Sequence, residues 1–184
     1  LARALAAAHE AVRRDPTNAD AHAALALVYF FAQDIDSYFT VTEQALSLSP
    51  NDAWLLGEIG HYTAFAGDWD RGVAMIEQAK TLDPLMPLER YFVIGHNHLR
   101  KGEADKALAA YLRIDMPEYY PVWRSRAIAY AHLGRLDEAK DAVSRMLELY
   151  PDYQDDLWPY LRDWNFSEDF VSATVEGLRL AGLD

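Results

Sequence analysis

The chain has 184 residues, 51% hydrophobic, 25% charged and 12% aromatic, with 29 acids against 17 bases for a formal net charge of −12 and no cysteine. That composition excludes a disordered tail, a disulfide framework and a thiolate metal site, and this length supports one compact domain or one repeat array. A pI near 4.8 without a Lys/Arg cluster argues against direct contact with nucleic acid or anionic membrane, and short apolar runs with no basic leading region argue against a membrane span or secretory signal, implying a cytoplasmic protein.

Prolines recur at Pro16, Pro50, Pro84, Pro117 and Pro151, with spacings of 34, 34, 33 and 34. A period of this size must be read before any local motif, because each unit then carries an apolar face that only a stacked neighbour can cover. Residues 1–16 read as the second helix of a repeat, with the small residues Ala4 and Ala11 in register and Pro16 closing it. Its first helix is missing, so the chain looks cut from something longer; an N-terminal cap is the alternative.

Residues 17–151 read as four helix pairs. Between the two helices of a pair stand Ala66-Gly67-Asp68, Lys101-Gly102-Glu103 and Leu133-Gly134-Arg135, where glycine can take the left-handed conformation that ends a helix. In the first pair Gln33 takes that place. Tyr38 occupies the first pair's small-residue position, which should push its helices apart or turn the ring out; Gly72/Ala79 and Ala139/Met146 mark the same register later. The third pair, about residues 88–117, should have a short second helix, with Ile114 where a small residue belongs, and a local change in superhelix. Proline closes each second helix because it cannot continue the hydrogen-bond ladder.

Residues 152–184 read as C-terminal capping helices: a short one, 152–163, interrupted by Pro159, then one with Ser167 as N-cap and Glu168 and Asp169 complementing the helix dipole. Phe166 should staple Val171. The apolar stripe is Phe170, Val171, Thr174, Val175 and Leu178, and Gly182 ends the helix.

The first helix of each pair approximates the pattern W-x2-L-G-x2-Y: His22, Leu25, Ala26, Tyr29; Leu56, Ile59, Gly60, Thr63; Tyr91, Ile94, Gly95, His98; Trp123, Arg126, Ala127, Tyr130. With the proline period this resembles the tetratricopeptide repeat family. The resemblance implies an all-α, right-handed superhelix of antiparallel helix pairs. The ending Glu176–Leu183, with Pro159-Tyr160 upstream, further resembles the C-terminal end of bacterial regulators in which such repeats follow a class III adenylate or guanylate cyclase domain or a winged-helix DNA-binding domain. No residues of those domains lie in this chain.

Chemistry-bearing motifs are sparse. His96 and His98 lie two apart on a helix and so point about 200° from each other, which prevents them from sharing an ion; His9, His22, His61 and His132 fall on different helices. Asp34-Ile35-Asp36 and Asp68-Trp69-Asp70 lack the remaining ligands of a calcium loop and fall where helix caps are expected. No phosphate loop or nucleophile elbow is present. The expectation is a non-enzyme without metal or cofactor.

The resemblance instead implies a concave face lined by the first helices, aromatic with a basic end. Its candidate partner-binding residues are Phe31, Trp54, His61, Phe65, Phe92, His96, Arg100, Arg124 and His132. Aromatics and Arg anchor interfaces, so this face suits a peptide or protein segment. The Lys and Asn that chaperone-binding members use to grip an acidic C-terminus are replaced by Ala23, Leu27, Phe31, Gly57, His61 and Phe65, which argues against that partner class. The implied role is an interaction or scaffolding module, the C-terminal regulatory part of a bacterial cyclase or transcriptional regulator. Its alternatives are a self-standing peptide-binding adaptor or a small-molecule sensor, and a homodimer is among the options.

Overall fold

The computed structural model describes residues 1–154, 157, 166 and 168–183. Among these, all regular structure is helical, in two compact units, residues 1–86 and 87–184. The first unit holds α1 (Ala2–Arg14), α2 (Ala19–Phe31), α3 (Ile35–Leu48), α4 (Ala53–Phe65) and α5 (Trp69–Leu82). The second holds α6 (Arg90–Arg100), α7 (Ala104–Tyr111), α8 (Tyr120–His132), α9 (Leu136–Leu149) and α10 (Glu168–Leu180). Consecutive helices pack as α2/α3, α4/α5, α6/α7 and α8/α9, and α1 packs on α2. Most of the short helix expected over 152–163, Pro159 included, and the Ser167 cap lie outside the described residues.

The prolines act one residue ahead of themselves. Asp15, Ser49, Asp83 and Tyr150 each precede a proline, and their φ values of −138°, −141°, −133° and −144° are extended, because the proline ring excludes the helical conformation from the residue before it. Helices α1, α3, α5 and α9 therefore stop two residues before the ring. The exception is α7, only 8 residues long, as its sequence suggested. Arg126 donates through Nη2 to the carbonyls of Tyr111 (3.4 Å) and Ile114 (2.9 Å), satisfying acceptors that a longer helix would have used itself.

The repeat also shows in a shared contact. Trp123 Nε1 donates to the Pro117 carbonyl at 2.8 Å, and His22 Nε2 donates to the Pro16 carbonyl at 3.0 Å, each six residues back. Both occupy the first place of the W-x2-L-G-x2-Y pattern, so a ring N–H there ties a first helix to the turn preceding it. Helix starts differ between units. In the first, the side chains of Asn18, Asp34, Asp52 and Asp68 accept from the backbone N–H three residues on, so both Asp-x-Asp segments serve caps as expected. In the second, α6 to α9 begin without a side-chain cap bond.

Tyr38 departs from its expectation. Its ring is buried between α3 and α4, and its hydroxyl donates to the Ile59 carbonyl at 3.0 Å and bonds Thr63 Oγ1 at 2.9 Å. Burial pushes the phenol up to about 12, so it stays a neutral donor. The α4/α5 contact is closer still: a Cβ on Gly72 would stand 2.5 Å from the Gly60 carbonyl oxygen, so the helices meet glycine to glycine.

Candidate partner-binding faces

In the first unit, Phe31 and Trp54 are exposed, at 41% and 56%. Phe31 closes α2 edge-on to Tyr62 of α4, with ring centroids 5.9 Å apart, and His61 lies 4.7 Å from the Phe65 ring. Phe65 itself is a correction: it is 3% exposed and packs edge-on against Trp69 of α5, so it belongs to the α4/α5 core. A cleft between α2 and α4, with Tyr38 and Ile59 in its lining, has room for about one water.

In the second unit, α6 and α8 present a face built around Tyr111. Gly95 leaves space that the Tyr111 ring fills, and the Tyr111 hydroxyl shares a 2.7 Å hydrogen bond with His96 Nδ1. Burial raises the Tyr111 phenol far above its ordinary range, a rise that the nearby Arg124 charge opposes, so the hydroxyl remains protonated. Phe92, His96 and Arg124 are 7%, 3% and 2% exposed. They are therefore not open groove residues, as their register implied, but packed ones: Phe92 contacts Tyr111, Tyr119 and His96.

The same face carries α10. The Phe170 ring lies 4.4 Å from that of His96, and Arg100 Nη1 donates to Asp169 Oδ2 at 2.9 Å. His132 Nε2 donates to the Ala173 carbonyl at 2.8 Å, which occupies the one ring nitrogen turned to that helix. A Cβ on Gly177 would stand 2.6 Å from Ile128 Cγ2, so α10 and α8 are in close contact. Phe170, Thr174, Gly177 and Leu178 form the buried stripe, whereas Val171 and Val175 are only half-buried; the Phe166 ring packs on Phe170, at 4.9 Å. Arg100 and His132 thus reach α10 directly, and Phe92 and Arg124 lie among the groups beneath. His98 turns elsewhere and pairs with Glu103 at 2.7 Å, separating it from His96 as their spacing required.

Sequence reasoning missed Tyr111, Asn97 and Gly177. Asn97 Oδ1 accepts from Arg100 Nε at 3.1 Å, which orients the guanidinium toward α10. A glycine in the middle of an amphipathic helix was the available signal for Gly177, since it weakens the helix unless a close approach needs it.

Residues 120–153 match the tetratricopeptide repeat family, a stretch that covers α8 and α9. No curated protein matches the chain at the level of sequence. Solved structures share the fold. One is PilW, a type IV pilus biogenesis factor, with 20% identity and a TM-score of 0.74 over 95% of this chain and 83% of that one. A second is YrrB, described as a tetratricopeptide repeat protein with an unusual peptide-binding site, with 15% identity and a TM-score of 0.63 over 96% and 93%. A third is a thermophilic tetratricopeptide repeat protein of Thermus thermophilus, with 19% identity and a TM-score of 0.66 over 93% and 89%. Among the described residues, no helix is long and apolar enough to cross a membrane.

Proposed function

We propose that the chain is a non-catalytic interaction module that binds a peptide or protein segment on the faces of its first helices. The observation carrying this reading is that the α6/α8 face already receives an amphipathic helix, with a stripe led by Phe170 buried and a charged pair at its rim. That is the helix-in-groove form of recognition. The peptide-binding site named for YrrB, which has the same fold, supports the reading. In the first unit the exposed anchors are Phe31 and Trp54; in the second the rim groups are Arg100 and His132. The ending Glu176–Leu183 supports a place at the C-terminal, regulatory end of a larger bacterial signalling protein, a cyclase or a transcriptional regulator.

A displayed peptide library selected on the protein tests the reading. Helical peptides with aromatic anchors should be enriched, and Phe31→Ala/Trp54→Ala should lose those that use the first unit. Failure to enrich any peptide on either protein refutes peptide binding; identical selections from both remove Phe31 and Trp54 from the site.

A further inference from the structure

Helix α10 packs on α8 and on α6, the first helices of both pairs of the second unit, and so covers the face assigned above to a partner.

Its seat is also imperfectly satisfied. Thr174 Oγ1 in the centre of the α10 stripe is buried without a hydrogen-bond partner, and an unpaired hydroxyl weakens burial relative to a satisfied one. Gly177 lets α10 approach α8 closely but lowers its helix propensity, and a 13-residue helix is marginal on its own. The helix therefore depends on its seat.

From these observations we infer that α10 is a displaceable occupant of the α6/α8 face, and that this face, when open, binds an amphipathic helix of another protein built on the α10 pattern. That pattern is an acid followed by an aromatic, with small residues four and seven places after the aromatic and leucine at eight, as in Asp169, Phe170, Thr174, Gly177 and Leu178. The acid meets Arg100, the aromatic stacks on His96, and the residue at seven must be small against Ile128. The inference rests on the interaction reading above and adds its regulation: a tethered helix competes at an effective concentration in the millimolar range, so only a better-matched helix, or one present when α10 is released, gains the face.

The test uses full-length protein and a fluorescein-labelled synthetic peptide of residues 166–183. Gly177→Val places a branched side chain against Ile128 and should expel the tethered helix. The peptide, which keeps its glycine, should then bind the variant at least tenfold more tightly than wild type, and a peptide carrying Asp169→Arg should bind it more weakly. Full-length Asp169→Arg, altered at a half-exposed rim position, provides the same comparison should Gly177→Val not fold. On wild type, excess unlabelled peptide should strip hydrogen-exchange protection from α10 amides and leave those of α8 protected. Equal, measurable binding to wild type and variants would leave the face a helix receptor but overturn gating by α10. No binding to a variant in which α10 has lost its hydrogen-exchange protection while α6 to α9 keep theirs would overturn this inference and the reading of the α6/α8 face as a helix receptor. Dimers that exchange α10 between copies, seen by size-exclusion chromatography, would overturn the foreign-partner assignment.

Discussion

Gln33 and Gly134 occupy the same structural place, just after the first helix of a pair, with positive φ of 61° and 72°. The place is dictated by how the helix ends: Asp34 N donates to the Tyr29 carbonyl at 3.0 Å and Arg135 N to the Tyr130 carbonyl at 2.9 Å, closures that require a left-handed residue between. A β-carbon there costs about 1–2 kcal/mol, and nothing lies within 4 Å of where one would stand on Gly134, so the cost is backbone strain alone. Gly134→Val should lower stability by about that amount in urea unfolding. Gln33→Gly should raise it by about 0.5 kcal/mol, since relieved strain exceeds by a little the extra entropy of an unfolded glycine. A Gln33→Gly protein no more stable than wild type would mean that the glutamine side chain contributes contacts of its own.

Elements differ in how far their sequence announces them. The ends of α1, α3, α5 and α9 were legible because the constraint is local: a proline restricts the residue directly before it. The seat of α10 was not, because an amphipathic stripe states that a face is covered and is silent on what covers it. Phe65 and Phe92 were misread for a related reason. Register places both on first helices, but a first helix has one face toward its pair partner and another toward the groove, and only the neighbouring rings, Trp69 and Tyr111, decide which side each takes. Tyr38 was misjudged because its hydroxyl partner, Thr63, lies 25 residues away. Packing between elements yields its own prediction. Gly72 lies inside α5, where alanine would ordinarily stabilise a helix by about 1 kcal/mol. Here a Cβ would stand 2.5 Å from the Gly60 carbonyl oxygen and 2.6 Å from the Ala64 nitrogen, backbone atoms that move only if α4 moves. Overpacking of about 1–3 kcal/mol should dominate, so Gly72→Ala should lower the thermal midpoint. A midpoint raised by the substitution would show that α4 and α5 separate easily.

At the scale of the whole molecule, the net charge of −12 and the many local ion pairs respond to the medium in opposite ways. Pairs such as Arg13–Glu10 and Arg179–Glu176 are exposed neighbours one helical turn apart, whose attraction added salt screens. The excess acids repel over longer distances, and at ~10 mM salt the screening length of about 30 Å lets them act together. The thermal midpoint at pH 7 should therefore rise between about 10 and 150 mM salt and then flatten; a midpoint that falls instead would rank the local pairs above the net repulsion. Acid separates the two contributions. Hydrogen bonds from Lys106 and His98 hold the Glu103 carboxyl at about 2, below its ordinary value of 4.5. Between those values the unfolded chain binds a proton that the folded chain refuses, so this stabilisation is complete above about 4.5 and is lost as pH falls toward 2. Glu103→Gln removes that proton uptake. Unfolding midpoints measured at pH 4.5 and 2.5 should consequently fall less in the variant than in wild type, and parallel falls would show that the carboxylate at the start of α7 is not held by its neighbours in solution.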